Sequence, residues 1–321
     1  MDSPSPTPRA TRVKALVLLS ASLLILLAAI AIAPWIGGAA EWHTIRDLRL
    51  PRVIFAAVAG FGLATCGVVL QAVLKNPLAS PYTLGIASGA AVGAVIAIQL
   101  GLAAAWITGG ALGGALLTSV LVYSVAALRQ HAAETLLLTG VAITLFSSAV
   151  TTLLHYLALG GSTIDLVAMV RWSMASLEVV GFGPPAWCGA LSALGLACLF
   201  PVLRQLDVAS LDDASALGLG VDPIFVRRLA FLGTSLITSA VVAFAGPIGF
   251  VGLVVPHAVR PFTGPDPRVL LPCSALIGGA FLVVCDGLAR QLIYPTSLPI
   301  NVVTYALGCP AFVWILVRRR G

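Results

Sequence analysis

The length of the stretches without a single charge constrains this chain more than any other feature. Ala15 to Ile36, Val53 to Leu74 and Val179 to Leu203 each exceed the roughly 20 residues that a helix needs to cross a bilayer. Asn76 to Leu128 is also uncharged and has room for two spans and a turn. Backbone inside lipid must satisfy its own hydrogen bonds, and a helix does so within one segment. An all-α membrane protein is the expectation. Charged residues make up 9% of the chain, against about 25% in soluble domains, so there is too little charge to cover a surface facing water. With 59% hydrophobic residues, disorder is excluded as well.

Ten transmembrane helices are expected, at roughly 15–36, 53–74, 82–99, 104–127, 136–158, 184–203, 229–245, 249–262, 269–289 and 299–317. Leu229 to Val259 is the least regular, because Gly246-Pro247, Gly249 and Gly252 interrupt it. Residues 1–14, rich in Pro and Ser, form a tail. The apolar run after them is longer than the core of a cleaved signal, so it reads as an uncleaved first span. Ten spans place both termini on one side, together with Arg9, Arg12, Lys14, Lys75, Arg129, Arg204, Arg227, Arg228, Arg260, Arg268, Arg318, Arg319 and Arg320. Arg46, Arg49, Arg52, Arg171 and Arg290 fall on the other side. That bias follows the positive-inside rule and makes the termini cytoplasmic. A nine-span chain would split the two basic ends between opposite faces. The net charge of +6 thus belongs to topology; no basic patch with interleaved aromatics points to nucleic acid.

Gly85, Gly89 and Gly93 repeat at a spacing of four, and Gly109, Gly110, Gly113 and Gly114 follow. Small residues let helix backbones approach closely in lipid. Two segments lie outside the membrane. Residues 207–222 read as two short helices, with Ser210 and Asp213 at capping-box spacing, Gly218 closing one helix and Asp222-Pro223 opening the next. Residues 163–177, with Asp165, Arg171 and Trp172, read as an interfacial helix on the outer side, Trp172 serving as its anchor.

Signals for chemistry are sparse. The two lysines, Lys14 and Lys75, follow Val13 and Leu74, so neither stands in a phosphate-binding Gly-Lys loop. His43, His131, His155 and His257 lack ligand spacing and read as interfacial or helix-end residues, and no metal site is expected. Cys66, Cys188, Cys198, Cys273, Cys285 and Cys309 form no CxxC pair and read as small packing residues. Asp286 comes nearest to lying within a span, and Arg290, four residues on, accounts for it as an ion pair. Neither a buried ion relay nor a GxSxG turn is present, which weighs against a secondary transporter driven by an ion gradient and against an intramembrane enzyme.

Four groups of residues resemble the permeases of ABC importers for iron-siderophores, haem and cobalamin, the FecCD-type permeases. They are Leu48-Arg49-Leu50-Pro51-Arg52; Gln71 with Lys75-Asn76-Pro77-Leu78-Ala79-Ser80-Pro81, Leu84-Gly85 and Ser88-Gly89-Ala90; Gly246 through His257 with Arg260 and Gly264-Pro265-Asp266; and Asp286, Ala289-Arg290, Leu298-Pro299 and Gly308-Cys309-Pro310. Their order and spacing cover nearly the whole chain. The resemblance implies a type II ABC importer permease in a bacterial inner membrane. Such a subunit forms a homodimer with the substrate path along its axis, two ATPase subunits below and a periplasmic binding protein above. It binds no cofactor itself; ATP and Mg sit on the ATPase. The resemblance assigns binding-protein docking to Arg49, Arg52 and Arg290. It assigns ATPase coupling to Leu211, Asp212, Asp213, Leu217, Gly218 and Val221, and a cytoplasmic gate to Asn76, Leu78, Glu134 and Thr135. Arg171 is a candidate contact for substrate carboxylates. Two departures stand out. Asn301 occupies a usual glycine position and is expected to keep the left-handed turn there, and Ala175-Ser176 replaces Gly-Ser.

Overall fold

The computed structural model describes residues 8–36, 41–128, 133–160, 163–293 and 296–318. The tail before Pro8, Arg129, His131, Arg319 and Arg320 lie outside the described residues. Ten principal helices follow one another: α1 (Pro8–Ile32), α2 (Leu50–Val73), α3 (Ile86–Gln99), α4 (Ala104–Ala127), α5 (Ala133–Ala158), α6 (Gly183–Leu203), α7 (Pro223–Ala245), α8 (Val251–Thr263), α9 (Pro267–Gln291) and α10 (Ile300–Arg318). Among the described residues, seven segments are long and apolar enough to cross a membrane, those of α1, α2, α4, α5, α6, α7 and α9. The apolar helices α3 and α10 and the 13-residue α8 are shorter and complete the ten. No strand occurs among the described residues.

Several boundaries differ from expectation for local reasons. α1 starts at Pro8, within the expected tail, because a proline at the start of a helix forfeits no hydrogen bond. The third span is a 3-10 turn, Pro81–Leu84, followed by α3, with left-handed Gly85 (φ 76°) between them. The irregular stretch after α7 is two helices: α7 stops at Gly246 (φ 75°) and α8 begins after Phe250 (φ 69°). Asn301 is the second residue of the right-handed helix α10, so no left-handed turn occurs there. His257 is buried in α8 rather than interfacial, its Nδ1 2.8 Å from the Leu253 carbonyl and its ring edge-on to Phe312.

α2 is the axis of the bundle and lies in the most enclosed of the seven segments. Phe55, Leu63, Val68 and Val69 are wholly enclosed. α9 runs antiparallel to it, and α7 and α8 lie alongside. Glycines set these distances. A Cβ on Gly60 would overlap the Gly278 carbonyl of α9, and one on Gly67 would overlap the Gly252 carbonyl of α8. In lipid there is little hydrophobic drive between helices, so such backbone contact supplies the packing. α3 and α4 interlock the same way through Gly89 with Gly114 and Gly93 with Gly110. Gly109 and Gly113 of the expected stripe face open space, and Gly85 packs on Gly140 of α5.

Gly67→Ala is expected to force α2 from α8 and to destabilise the protein by about 1–3 kcal/mol. Gly109→Ala, with no neighbour to meet, should be neutral or stabilising by up to about 1 kcal/mol. Thermal unfolding of the two variants in one detergent checks the contrast.

Candidate docking and coupling sites

The charged side chains gather at the two ends of α2. At the Arg52 end, a cavity of about 470 Å³ opens between the 33–36 turn, the start of α2, the 171–178 segment and the 296–299 loop. Arg49, Arg52, Arg171 and Arg290 line it, with Glu178 and Ser297. All three expected docking arginines and Arg171 are thus brought together. They differ in freedom. Arg52 donates through Nε to Asp286 Oδ1 at 2.7 Å, and its Nη1 is 3.4 Å from Glu178 Oε1. Arg290 Nε lies 3.1 Å from Asp286 Oδ2, the expected i,i+4 pair. Arg290 also donates to the Ala33 carbonyl at 3.0 Å, and Arg49 to the Pro34 carbonyl at 3.2 Å. The Arg52 and Arg290 side chains keep only 13% and 11% exposure, while Arg171 is exposed.

Asp286 explains this arrangement. Its side chain is 1% exposed, and a buried carboxylate without compensation is costly. Arg290 alone accounted for it in the sequence, but the structure adds Arg52 from α2. Glu178 in turn accepts a hydrogen bond from Ser297, which closes the loop before α10 over the cavity. Four arginines face two carboxylates, so the recess is positive and suited to an incoming carboxylate. The tie of Glu178 to Arg52 and Ser297 joins residues far apart in sequence and left no local pattern to read.

The segment forming the cavity floor is strained. Ala175 has φ 60°, a left-handed conformation at the position where Ala replaces the family's glycine. It is fixed there because the Ser176 N–H donates to the Ala245 carbonyl at 2.8 Å and Gly246 packs against Trp172 and Ala175. Trp172, expected as an interface anchor, is the penultimate residue of the helix Thr163–Ser173; it is half-buried and packs inward on the cluster of Val95, Ile98 and Ala158.

At the Lys75 end, two short helices, Leu206–Ala209 and Asp213–Gly218, form the expected non-membrane segment. The cap differs from expectation. Asp212, not Ser210, caps the second helix by accepting from the Ser215 N–H at 2.9 Å, while the Ser210 hydroxyl bonds back to the Asp207 carbonyl. Gly218 is the last helical residue, and the left-handed position is Gly220 (φ 80°). Asp222 caps α7 as expected. Leu211, Leu217 and Gly218 are exposed; Leu219 and Phe225, which carry no motif, extend the apolar patch. Asp213 accepts from Lys75 Nζ at 2.7 Å and from Arg227 Nη2 at 2.6 and 2.8 Å. These cations, Lys75 first and then Arg227, hold its carboxyl below the ordinary carboxylate range.

Asn76 and Leu78 follow directly. The Leu78 N–H donates to Asn76 Oδ1 at 2.9 Å, a local turn that leaves Leu78 exposed. Glu134 and Thr135 open α5, whose Gly140 packs on Thr83 and Leu84 just beyond that turn. Nearby, Gln71 bridges α2 to α8, donating to the Gly252 carbonyl at 3.3 Å and accepting from Arg260 at 3.1 Å. No cluster of metal-ligating side chains occurs among the described residues.

The described helices thus enclose a positive recess at the Arg52 end and leave a capped, partly apolar segment exposed at the Lys75 end. Residues 14–318 match the FecCD transport family, and the chain belongs to it. It is 40% identical over 274 residues to the cobalamin import system permease protein BtuC of Halobacterium salinarum, covering 85% of this chain and 73% of that protein. It is 36% identical over 292 residues to the hemin transport system permease protein HmuU of Yersinia pestis, covering 88% and 85%. A structure described as an inward-facing conformation of a putative metal-chelate type ABC transporter superposes with a TM-score of 0.87 at 29% identity, covering 94% of this chain and 99% of that one.

Ala175→Gly should relieve the left-handed strain and stabilise the protein by up to about 1 kcal/mol, read as a higher melting temperature. Asp213 has a lowered folded pKa, so its contribution is full above the ordinary value and is lost as pH falls through the lowered one. The stability gap between wild type and Asp213→Asn should therefore hold at pH 7 and shrink below about pH 4. Melting curves of both proteins across that range measure it.

Proposed function

We propose that this chain is the transmembrane subunit of an ATP-binding-cassette importer that carries cobalamin, haem or another iron chelate from periplasm to cytoplasm across a bacterial inner membrane. The match of residues 14–318 to the FecCD transport family carries this reading. The relatives named for cobalamin and haemin transport support the cargo class. In this reading the chain performs no chemistry on its cargo, and ATP and Mg belong to a separate ATPase.

Two copies form the working unit, with both termini cytoplasmic. Leu138, Leu145 and Phe146 of α5 offer a second copy an exposed apolar face. The Arg52 end receives the binding protein, whose carboxylates meet Arg49, Arg52 and Arg290. Such charges steer and orient docking more than they add affinity. The Lys75 end receives the ATPases through Leu211, Asp212, Asp213, Leu217, Gly218 and Val221. Asn76, Leu78, Glu134 and Thr135 form the gate. Asp286, already neutralised by two arginines, is an unsuitable site for a driving ion.

The chain, reconstituted in liposomes with its ATPase and binding protein, is expected to take up one of haem, a ferric siderophore or cobalamin only when ATP is supplied. Uptake that ignores ATP and follows an ion gradient would overturn the reading. With a carboxylate-bearing cargo, Arg171→Ala should slow uptake about tenfold, the loss of one charge-assisted hydrogen bond. An unchanged rate removes Arg171 as a contact.

A further inference from the structure

Lys75 belongs to a motif whose neighbours have a role while it has none. It is the first residue past the cap of α2 and stands between the coupling segment and the Asn76–Leu78 turn. Its backbone is left-handed, φ 51°, a conformation that costs a residue with a side chain about 1–2 kcal/mol. Glycine would adopt it freely and is the usual residue after a helix end. Arg227 neutralises Asp213 as well, its Nη2 reaching both carboxylate oxygens. What the strained backbone secures is the reach of Lys75 Nζ to Asp213 Oδ1, 2.7 Å across a sequence separation of 138 residues.

The chain after Lys75 is built to move as a unit. The Ala79 N–H donates to the Asn76 carbonyl at 3.0 Å, and the Leu78 N–H to the Asn76 side chain. Ser80 and Thr83 then exchange hydrogen bonds in a capping box, and left-handed Gly85 ends the 3-10 turn where Gly140 of α5 abuts it. Successive short-range bonds leave this segment few ways to absorb a displacement internally. Strained residues persist where the surroundings over-determine them, and they cluster at switch regions.

We propose that the Lys75–Asp213 contact, braced by Arg227, is the link that carries movement of the 207–222 segment to the 76–85 segment and so couples ATP turnover to gate opening. The proposal rests on the permease reading above. Lys75 is a positioning residue: it touches neither cargo nor nucleotide. Asp213 begins the short helix that faces the ATPase, Arg227 anchors that carboxylate to α7, and Lys75 shares the anchor with the end of α2. A shift of the short helix therefore pulls on two membrane helices at once, and only the α2 branch leads into Asn76 and Leu78.

The test uses the full assembly in liposomes and reads three quantities for each variant: cargo uptake, ATP hydrolysis and the melting temperature. Lys75→Met removes the charge at similar length, Lys75→Gly also relieves the left-handed strain, and Lys75→Arg keeps charge and reach. The expected result is that Lys75→Met and Lys75→Gly still hydrolyse ATP but import about 5- to 50-fold less cargo per ATP, while Lys75→Arg restores most of the ratio. Lys75→Gly should melt no lower than wild type, so a fallen ratio in that variant cannot come from misfolding. A ratio equal to wild type in Lys75→Met and Lys75→Gly overturns the link. So does a parallel fall of uptake and hydrolysis at an unchanged ratio, which would make the contact one of assembly. A wild-type assembly without ATP-dependent uptake fails at an earlier point and strikes the permease reading itself.

Discussion

Helices surrounded by lipid gain little from hiding apolar surface against one another, so something else must hold them in register. In this protein that role falls to backbone touching backbone. α2 is fastened to α9 at Gly60 and Gly278 and to α8 at Gly67 and Gly252. These contacts leave no room for even one methyl group, and they fix the height of α9 and α8 along α2 as well as their distance. Everything at the two ends inherits that register. Asp286 meets Arg52 because α9 and α2 run antiparallel through the Gly60–Gly278 contact, and Gln71 reaches the carbonyl of Gly252 because α8 is seated beside Gly67.

The ends solve the problem of charge differently. At one, Asp286 is nearly without solvent, and two arginines converge on it from different helices. Removing Asp286 would leave two largely buried arginines without their shared carboxylate, which makes the cluster a rigid frame for the cavity. At the other, Asp213 is about half exposed (48% for its side chain), and Lys75 and Arg227 grip it in the presence of water. Solvent and salt weaken such a pair, so it can be broken and remade at modest cost. One end is thus a fixed frame and the other a looser, solvent-exposed pair.

The bundle was legible in the sequence because lipid imposes a simple rule: long uncharged runs become helices. Seven helices long enough to span, the shorter ones between them in the expected order, and the partition of Arg49, Arg52, Arg171 and Arg290 from Lys75, Arg227, Arg260 and Arg268 all appear among the described residues. Local signals failed where several residues competed for one role. Asp212 displaced Ser210 as a cap because an aspartate two positions later could reach the Ser215 N–H, and positive-φ Gly246 and Phe250 set the break between α7 and α8. Ala175 is left-handed because the Ala245 carbonyl and Gly246 hold it, whereas Asn301 was drawn into the first turn of α10. The residues that tie the sites together, Glu178 to Ser297 and Lys75 to Asp213, are more than a hundred positions apart, where no periodicity connects them.

The bond between Arg52 and Asp286 spans 234 residues of chain. A ribosome adding about 5–20 residues per second finishes α9 only roughly 10–50 s after it has released the start of α2. For that interval the arginine has no aspartate to meet. Its place near the end of α2 lets it remain among lipid headgroups and water until its partner arrives, whereas the same residue at the middle of the helix would have to cross the hydrocarbon unaccompanied. Late in biogenesis, α9 brings the aspartate and the second arginine together as an already paired unit, one helical turn apart. The order in which the chain is made thus favours keeping the lone cation at a helix end and letting the acid travel with its own counter-charge.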